Sequence, residues 1–158
     1  MPPFNAPSWK QLAKSSASDA KFARPTTEAG IAAFEKSLSI RLPPALREFL
    51  LEADGFTADY GSRVIWSVTH MEQQNREFRT TVAFRDLYMP FDHLLLFGDE
   101  CGGDHFAFAI HADGQIHNYD VFRWDHETDG RAWFAGDLEQ FLETRLKKEK
   151  EDDDDVVS

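Results

Sequence analysis

Apolar residues recur at helical spacing in the first third of the chain and switch to alternation further on. Ser8 can cap a short helix that sets Trp9 and Leu12 on one side, and Ser15-Ser16-Ala17-Ser18 interrupts it. After Pro25-Thr26-Thr27, Ile31, Phe34 and Leu38 follow a helical period until Ser39-Ile40-Arg41-Leu42 leads into Pro43, where the residue before a proline leaves helical space. Pro44 suits the first turn of a second helix, with Leu46, Phe49, Leu50 and Ala53 on one stripe and Asp54-Gly55 as its stop. Each helix carries a single apolar stripe and therefore needs a partner layer, which a sheet supplies.

From Val64 the period becomes two. Val64 to Val68 and Phe78 to Phe84 read as strands rich in β-branched and aromatic residues, and the polar stretch between them, His70 to Glu77, fits either a short helix or a loop. The run Leu94-Leu95-Leu96-Phe97 predicts a strand covered on both faces, ending in the Gly-rich stretch Gly98 to Gly103. His105 to Ile110 alternates, and Asp113-Gly114 turns the chain into Gln115 to Tyr119. A three-residue loop with Gly114 left-handed would pair Ile110 with Ile116 and keep the apolar face consistent, so it is preferred to a two-residue turn. Val121 to Trp124 then continues or bends that strand, Asp125 to Gly130 forms an exposed loop, and Ala132-Trp133-Phe134 is a short apolar segment. A last helix is expected from Asp137, with Gln140 completing a capping box, Leu138, Phe141, Leu142 and Leu146 on one face, and Lys147, Lys148 and Lys150 at the negative end of its dipole.

The chain has 158 residues with 42% hydrophobic composition, including 14 Phe, 4 Trp and 3 Tyr, enough apolar volume for one folded domain over residues 1–150. Residues 151–158 form an acidic tail with no apolar partner, for which disorder is the expectation. The net charge of −11 is unevenly spread: between Phe91 and Gly130 nine acids face one base, Arg123. Nucleic-acid binding rests on phosphate neutralisation by Lys and Arg, so this balance argues against it and favours a basic protein partner. The lone Cys101 excludes an intramolecular disulfide, and Met1 to Pro7 lacks the basic start and apolar run of a signal peptide. No run of 18 apolar residues is available to span a membrane, and a cytoplasmic location is expected.

The order and spacing of several blocks resemble the SUKH superfamily, with its Smi/Knr-type domain. The first block is Ile31, Phe34-Glu35, Leu38, Ile40-Arg41-Leu42-Pro43, Leu46, Phe49-Leu50 and Asp54-Gly55. The second is Phe97-Gly98-Asp99-Glu100-Cys101-Gly102-Gly103-Asp104 with Phe106 and Phe108, followed by Ala132, Phe134 and Phe141-Leu142. Trp9 and Leu12 fit the short helix that often precedes them, so the resemblance covers about residues 8–143. Cys101 stands where a small residue is more usual, and His70 to Pro90 reads as an insert. The resemblance implies an α+β fold with N-terminal helices packed on a mostly antiparallel sheet and a closing C-terminal helix. It further implies, in bacteria, an immunity protein that binds and neutralises a cognate toxin domain, often a nuclease. In eukaryotes it implies a regulatory interaction module. It carries over no catalytic residue.

Cys101 with His105 could form a thiolate–imidazole nucleophile, but neighbouring acids would raise the thiol pKa, and a small residue tolerated in a tight loop is the simpler reading. Gly98, Gly102 and Gly103 could cradle phosphate, yet no Lys is in reach and a turn requiring positive φ accounts for them. Asp99, Glu100 and Asp104 offer calcium-type oxygens without the helix–loop–helix spacing, so a solvated acidic loop is preferred. His105 and His111 sit ~20 Å apart along one strand at about 3.3 Å per residue, too far to share zinc. His111 and His117 across the hairpin supply two ligands only. No cofactor, metal or catalytic residue is therefore assigned. The expected partner-binding surface is Asp99, Glu100, Asp104, Tyr119, Trp124, Asp125, Glu127 and Asp129, where acids and rings would meet a basic toxin or another protein partner. Trp124 and Trp133 fit the core as well as they fit an interface.

Overall fold

In the computed structural model, residues 8–58 and 60–146 are described; the expected Lys147, Lys148 and Lys150 positions and the 151–158 tail lie outside them. The elements run α1 (Trp9–Ser16), β1 (Lys21–Phe22), α2 (Glu28–Leu38), α3 (Pro44–Glu52), β2 (Phe56–Ala58) and β3 (Ser62–Ile65). After these come α4 (Val68–Thr80), α5 (Val82–Leu87), β4 (Leu94–Asp99), β5 (His105–Ala109), β6 (Val121–Trp124) and β7 (Arg131–Ala135). Residues 138–146 form the closing helix, α6. The fold is α+β, with N-terminal helices, antiparallel sheets and a C-terminal helix.

The N-terminal helices form where the periodicity places them. Ser8 and Gln11 make a reciprocal capping box on α1, Thr27 accepts from Gly30 N at the start of α2, and Pro44 opens α3. α1 docks on α3 through Trp9, whose backbone N–H donates to Glu52 (3.1 Å) and whose ring meets Phe49 at 6.2 Å. Asp54-Gly55 does more than stop α3. Asp54 Oδ1 accepts from Val68 N (2.9 Å) at the head of α4. Gly55, at φ 90°, passes so close to the β3–α4 connection that a Cβ would lie 2.8 Å from Ile65 O.

Two antiparallel sheets result, β1-β2-β3 and β4-β5-β6-β7. They meet where β3 passes β4: Trp66 N donates to Phe97 O (2.8 Å), and a Cβ on Gly98 would sit 2.1 Å from Val64 O. Only glycine permits that approach. The remaining backbone groups on this edge of β4 are met by side chains of α4. Asn75, 1% exposed, donates to Leu96 O (2.8 Å) and accepts from Leu96 N (2.9 Å), while Arg79 donates to Leu94 O (3.1 Å). Leu94 to Gly98 are consequently buried throughout, as the unbroken apolar run predicts. α6 covers one face of the larger sheet, with Phe141 against Phe97 (5.1 Å) and Phe106 (5.0 Å). Phe78 of α4 packs on His105 (5.1 Å) and Trp124 (5.6 Å) on the other. Asp137 caps α6 as expected by accepting from Gln140 N (2.8 Å), although the Gln140 side chain reaches Gly136 N (2.6 Å). One continuous core of buried residues runs from Ala13 to Leu146.

Three expectations are corrected. The strand expected over Val64 to Val68 ends at Ile65, and Ser67 and Val68 cap and open α4. Phe78 to Phe84 is not a strand: Phe78 belongs to α4 and Phe84 to α5, with Thr81 between them. Ser67 caps α4, and Val68, Met71, Asn75 and Phe78 follow a helical spacing that the β-branched Thr80, Thr81 and Val82 obscure. The segment is helical because these residues, not an alternating set, face the core, and the His70 to Glu77 stretch left open by the sequence is helix as well. Nor does Gln115 to Tyr119 pair with β5. The partner is β6, with His105 opposite Trp124 and Phe108 opposite Val121. Gly114 is left-handed (φ 82°) as expected, but the Gln115 side chain is drawn to the α2–α3 connection, donating to Ser39 O (3.3 Å) and accepting from Arg41 N (3.2 Å). That tether pulls 115–119 out of the ladder.

Asn75→Ala should lower stability by about 2–4 kcal/mol, because it strands a buried N–H and a buried C=O of Leu96. Gly98→Ala should cost about 3 kcal/mol or more through backbone overlap. Urea denaturation measures both, and wild-type midpoints for either variant would contradict this account of the β4 edge.

Candidate partner-binding site

In an antiparallel meander successive turns fall at alternate ends, so the β4–β5 turn (100–104) and the β6–β7 turn (125–130) share one end of the larger sheet. The 81–92 segment folds onto the same end. Tyr88 Oη donates to His126 O (2.9 Å), Met89 N to Asp129 Oδ2 (2.8 Å), and Arg131 to Pro90 O (2.9 Å) and Met89 O (2.8 Å). Asp99, Glu100, Asp104, Trp124, Asp125, Glu127 and Asp129 are thereby brought together. Tyr119, 44% exposed, lies at the opposite end, beside Arg41, Arg47 and His117 in a cleft of about 720 Å³.

The acids divide by what they touch. Asp104 is buried between two loops: Oδ2 accepts from Arg123 Nε (2.9 Å), and Oδ1 accepts from His126 Nδ1 (2.7 Å) and from its backbone N–H (3.2 Å). Arg123 also pairs with Glu100. Asp99 Oδ2 accepts from Trp66 Nε1 (2.8 Å). Asp129 accepts from Trp124 Nε1 (2.8 Å), Met89 N and Arg131 (3.1 Å) while holding a left-handed φ of 61°. Asp125 shapes its own turn, accepting from Glu127 N (2.8 Å) and Thr128 N (3.3 Å). Glu127 alone of the acids is well exposed, at 79% of its side chain. Trp124 is a core residue, 3% exposed, with Tyr88, Phe91 and His105 around it; Trp133 is 57% exposed.

Burial pushes Asp104 upward, but the hydrogen bonds from His126 and Arg123 outweigh it and hold the carboxyl below its ordinary value. The same bond raises His126. Burial likewise pushes Asp129 up, and the donors Met89, Trp124 and Arg131 bring it down. His105 moves the other way: burial among Trp66, Phe78 and Trp124 lowers it, and its Nδ1 faces Gly103 O at 2.9 Å.

This geometry bears on the chemical alternatives. Cys101 is exposed on its turn, whereas the His105 ring is packed inward and engages Gly103. The three carboxylates weighed for calcium face different donors: Trp66 for Asp99, Arg123 for Glu100, and Arg123 with His126 for Asp104. Asp104, Asp125 and His126 do offer ligand atoms within 4.8 Å of one another, but Arg123 and His126 already hold the Asp104 carboxylate. His111 and His117 do meet, rings 5.2 Å apart, with His117 bonded to Asp113 (2.5 Å).

Sequence reasoning missed three parts of this end. Arg123 is the cation that holds Glu100 and Asp104, legible only once β6 is paired with β5. Arg131 ties the turn to the 81–92 segment. The 81–92 segment also exposes the apolar Val82 (70%), Leu87 (68%) and Met89 (58%).

Helices on an antiparallel sheet, an Asp-Gly crossing and a Gly-rich turn that builds a polar sheet end define an α+β domain, and among the described residues no helix is long and apolar enough to cross a membrane. The chain belongs to the SMI1 / KNR4 family (SUKH-1), whose model matches residues 25–144. Comparison with curated proteins finds no significant match.

The Asp104–His126 pair has a defined pH window. Asp104 contributes above its unfolded pKa and loses its contribution as pH falls through the depressed folded value. His126 contributes below its unfolded pKa and loses its contribution as pH rises through the elevated folded value. In an NMR titration His126 should therefore titrate above, and His105 below, the ordinary imidazole value, and Asp104→Asn should return His126 toward it. Coincident titration of the two histidines would contradict the geometry.

Proposed function

We propose that this chain is a cytoplasmic immunity protein that neutralises a cognate basic toxin, a nuclease being the best fit, by covering its active cleft or an adjacent face. The observation that carries the reading is the acidic sheet end. Its inner carboxylates, Asp99, Asp104 and Asp129, are fixed by protein donors, so the surface is preorganised, and Asp125 and Glu127 stand at its rim. Membership of the SUKH-1 family supports a protein-binding role. A preorganised acidic surface speeds encounter with a basic protein and repels phosphate backbones, so nucleic acid is not the ligand. The mechanism is steric and electrostatic; no cofactor, metal or covalent step is required of this chain.

The test is survival of bacteria in which the gene adjacent to this one is induced, with and without this chain, followed by co-purification. Rescue with a one-to-one complex is expected. The double reversal Asp125→Lys with Glu127→Lys should lower the association rate about tenfold at low salt with little change at high salt. A harmless neighbour that does not bind the chain would overturn the immunity reading, leaving a regulatory module with an endogenous partner. Unaltered association of the reversed variant would show that the acidic rim plays no part.

A further inference from the structure

The two edges of the larger sheet are treated differently. The β4 edge is closed by Asn75, Arg79 and Trp66 N, as described above. β7 lies at the other edge. Its N–H and C=O groups that do not face β6 have no hydrogen-bond partner among the described residues. Ala132 and Trp133 are exposed there, and the Trp133 indole N–H donates to Asp120 Oδ1 (3.2 Å). An uncovered row of backbone donors and acceptors is a template for another strand. We infer that the outer edge of β7 takes an extended segment of the protein partner, which adds a strand to the four-stranded sheet.

The chemistry of that segment follows from what flanks the edge. Asp125 and Glu127 precede β7, beyond Asp129, whose charge Arg131 already meets. Asp120 lies under Trp133, and Asp137 and Glu139 follow the strand. Arg131, the one base on β7, is already held by Asp129 and by the carbonyls of Met89 and Pro90. The occupant is therefore apolar at its centre, where it meets Trp133, and carries Lys or Arg at both ends. A second copy fits badly, because two-fold antiparallel pairing would set the acids before one β7 against those after the other. The segment is short. Val121 pairs with Ala135 and Phe122 with Trp133, which leaves Phe134 as a bulge and Arg131 to Trp133 as the straight stretch.

The inference rests on the reading of a basic protein partner and extends the acidic sheet end along β7. Its test needs no identified toxin. The full chain, labelled with nitrogen-15, is titrated with a synthetic peptide, Lys-Lys-Val-Thr-Val-Thr-Lys-Lys, and with the same core flanked by Glu. Shift changes centred on residues 130–136, interstrand backbone NOEs to β7, and binding weakened about tenfold by Glu flanks or by Trp133→Ser are expected. No change up to millimolar peptide, changes centred elsewhere, or a dimer whose β7 amides are protected without peptide would overturn it. Full rescue from the toxin by a β7 that binds no strand would overturn this inference alone. Peptide binding at β7 beside a harmless neighbouring gene would overturn the immunity reading alone.

Discussion

Leu96 gives both of its outward backbone groups to one side chain: its N–H donates to Asn75 Oδ1 and its C=O accepts from Asn75 Nδ2. A buried asparagine thus substitutes for a strand, and α4 can lie where a further strand would otherwise be needed. Phe97 O takes Trp66 N beside it, and Gly98 lets β3 pass with its carbonyl against the β4 backbone. This seam holds the helical half and the smaller sheet to the four-stranded sheet. It also lays α4 along β4, with Asn75 at Leu96 and Arg79 at Leu94, and the 81–92 segment that follows turns back to meet the 125–130 turn.

At that end the same economy of polar groups governs the surface. Asp104, Arg123, Glu100 and His126 satisfy one another across the two turns, and Asp129 gathers Trp124, Met89 and Arg131. The charges that lie inside the end are spent on shape, while Glu127 stays exposed at its rim. A binding protein gains from this division, since a surface already ordered loses less entropy on association.

What the sequence disclosed, and what it hid, follow from the range of the interactions. α2 and α3 were legible because caps, prolines and apolar stripes are local. The burial of Leu94 to Phe97 was legible because an unbroken apolar run has few other homes. Phe78 to Phe84 misled because β-branched Thr80, Thr81 and Val82 at a helix junction mimic strand composition, while the Asn75 contact that holds α4 reaches 21 residues ahead. The hairpin misled because Gln115 answers to Ser39 and Arg41, some 75 residues away. That one error of register hid the Arg123–Asp104 pair, and with it the reason why Asp99, Glu100, Asp104, Trp124 and Asp129 serve the architecture of the acidic end while Asp125 and Glu127 edge it. Tyr119 adjoins them in sequence, yet the 110–120 connection carries it to the other end.

The central claim is that partners are met at the sheet end formed by the two turns and β7, and not at the Arg41–Arg47–Tyr119 cleft. Amide hydrogen exchange on the complex with the co-purifying partner tests it most directly. The account predicts new protection over residues 100–104 and 125–135, with residues 39–47 and 115–119 unchanged. Protection confined to the cleft segments would contradict it.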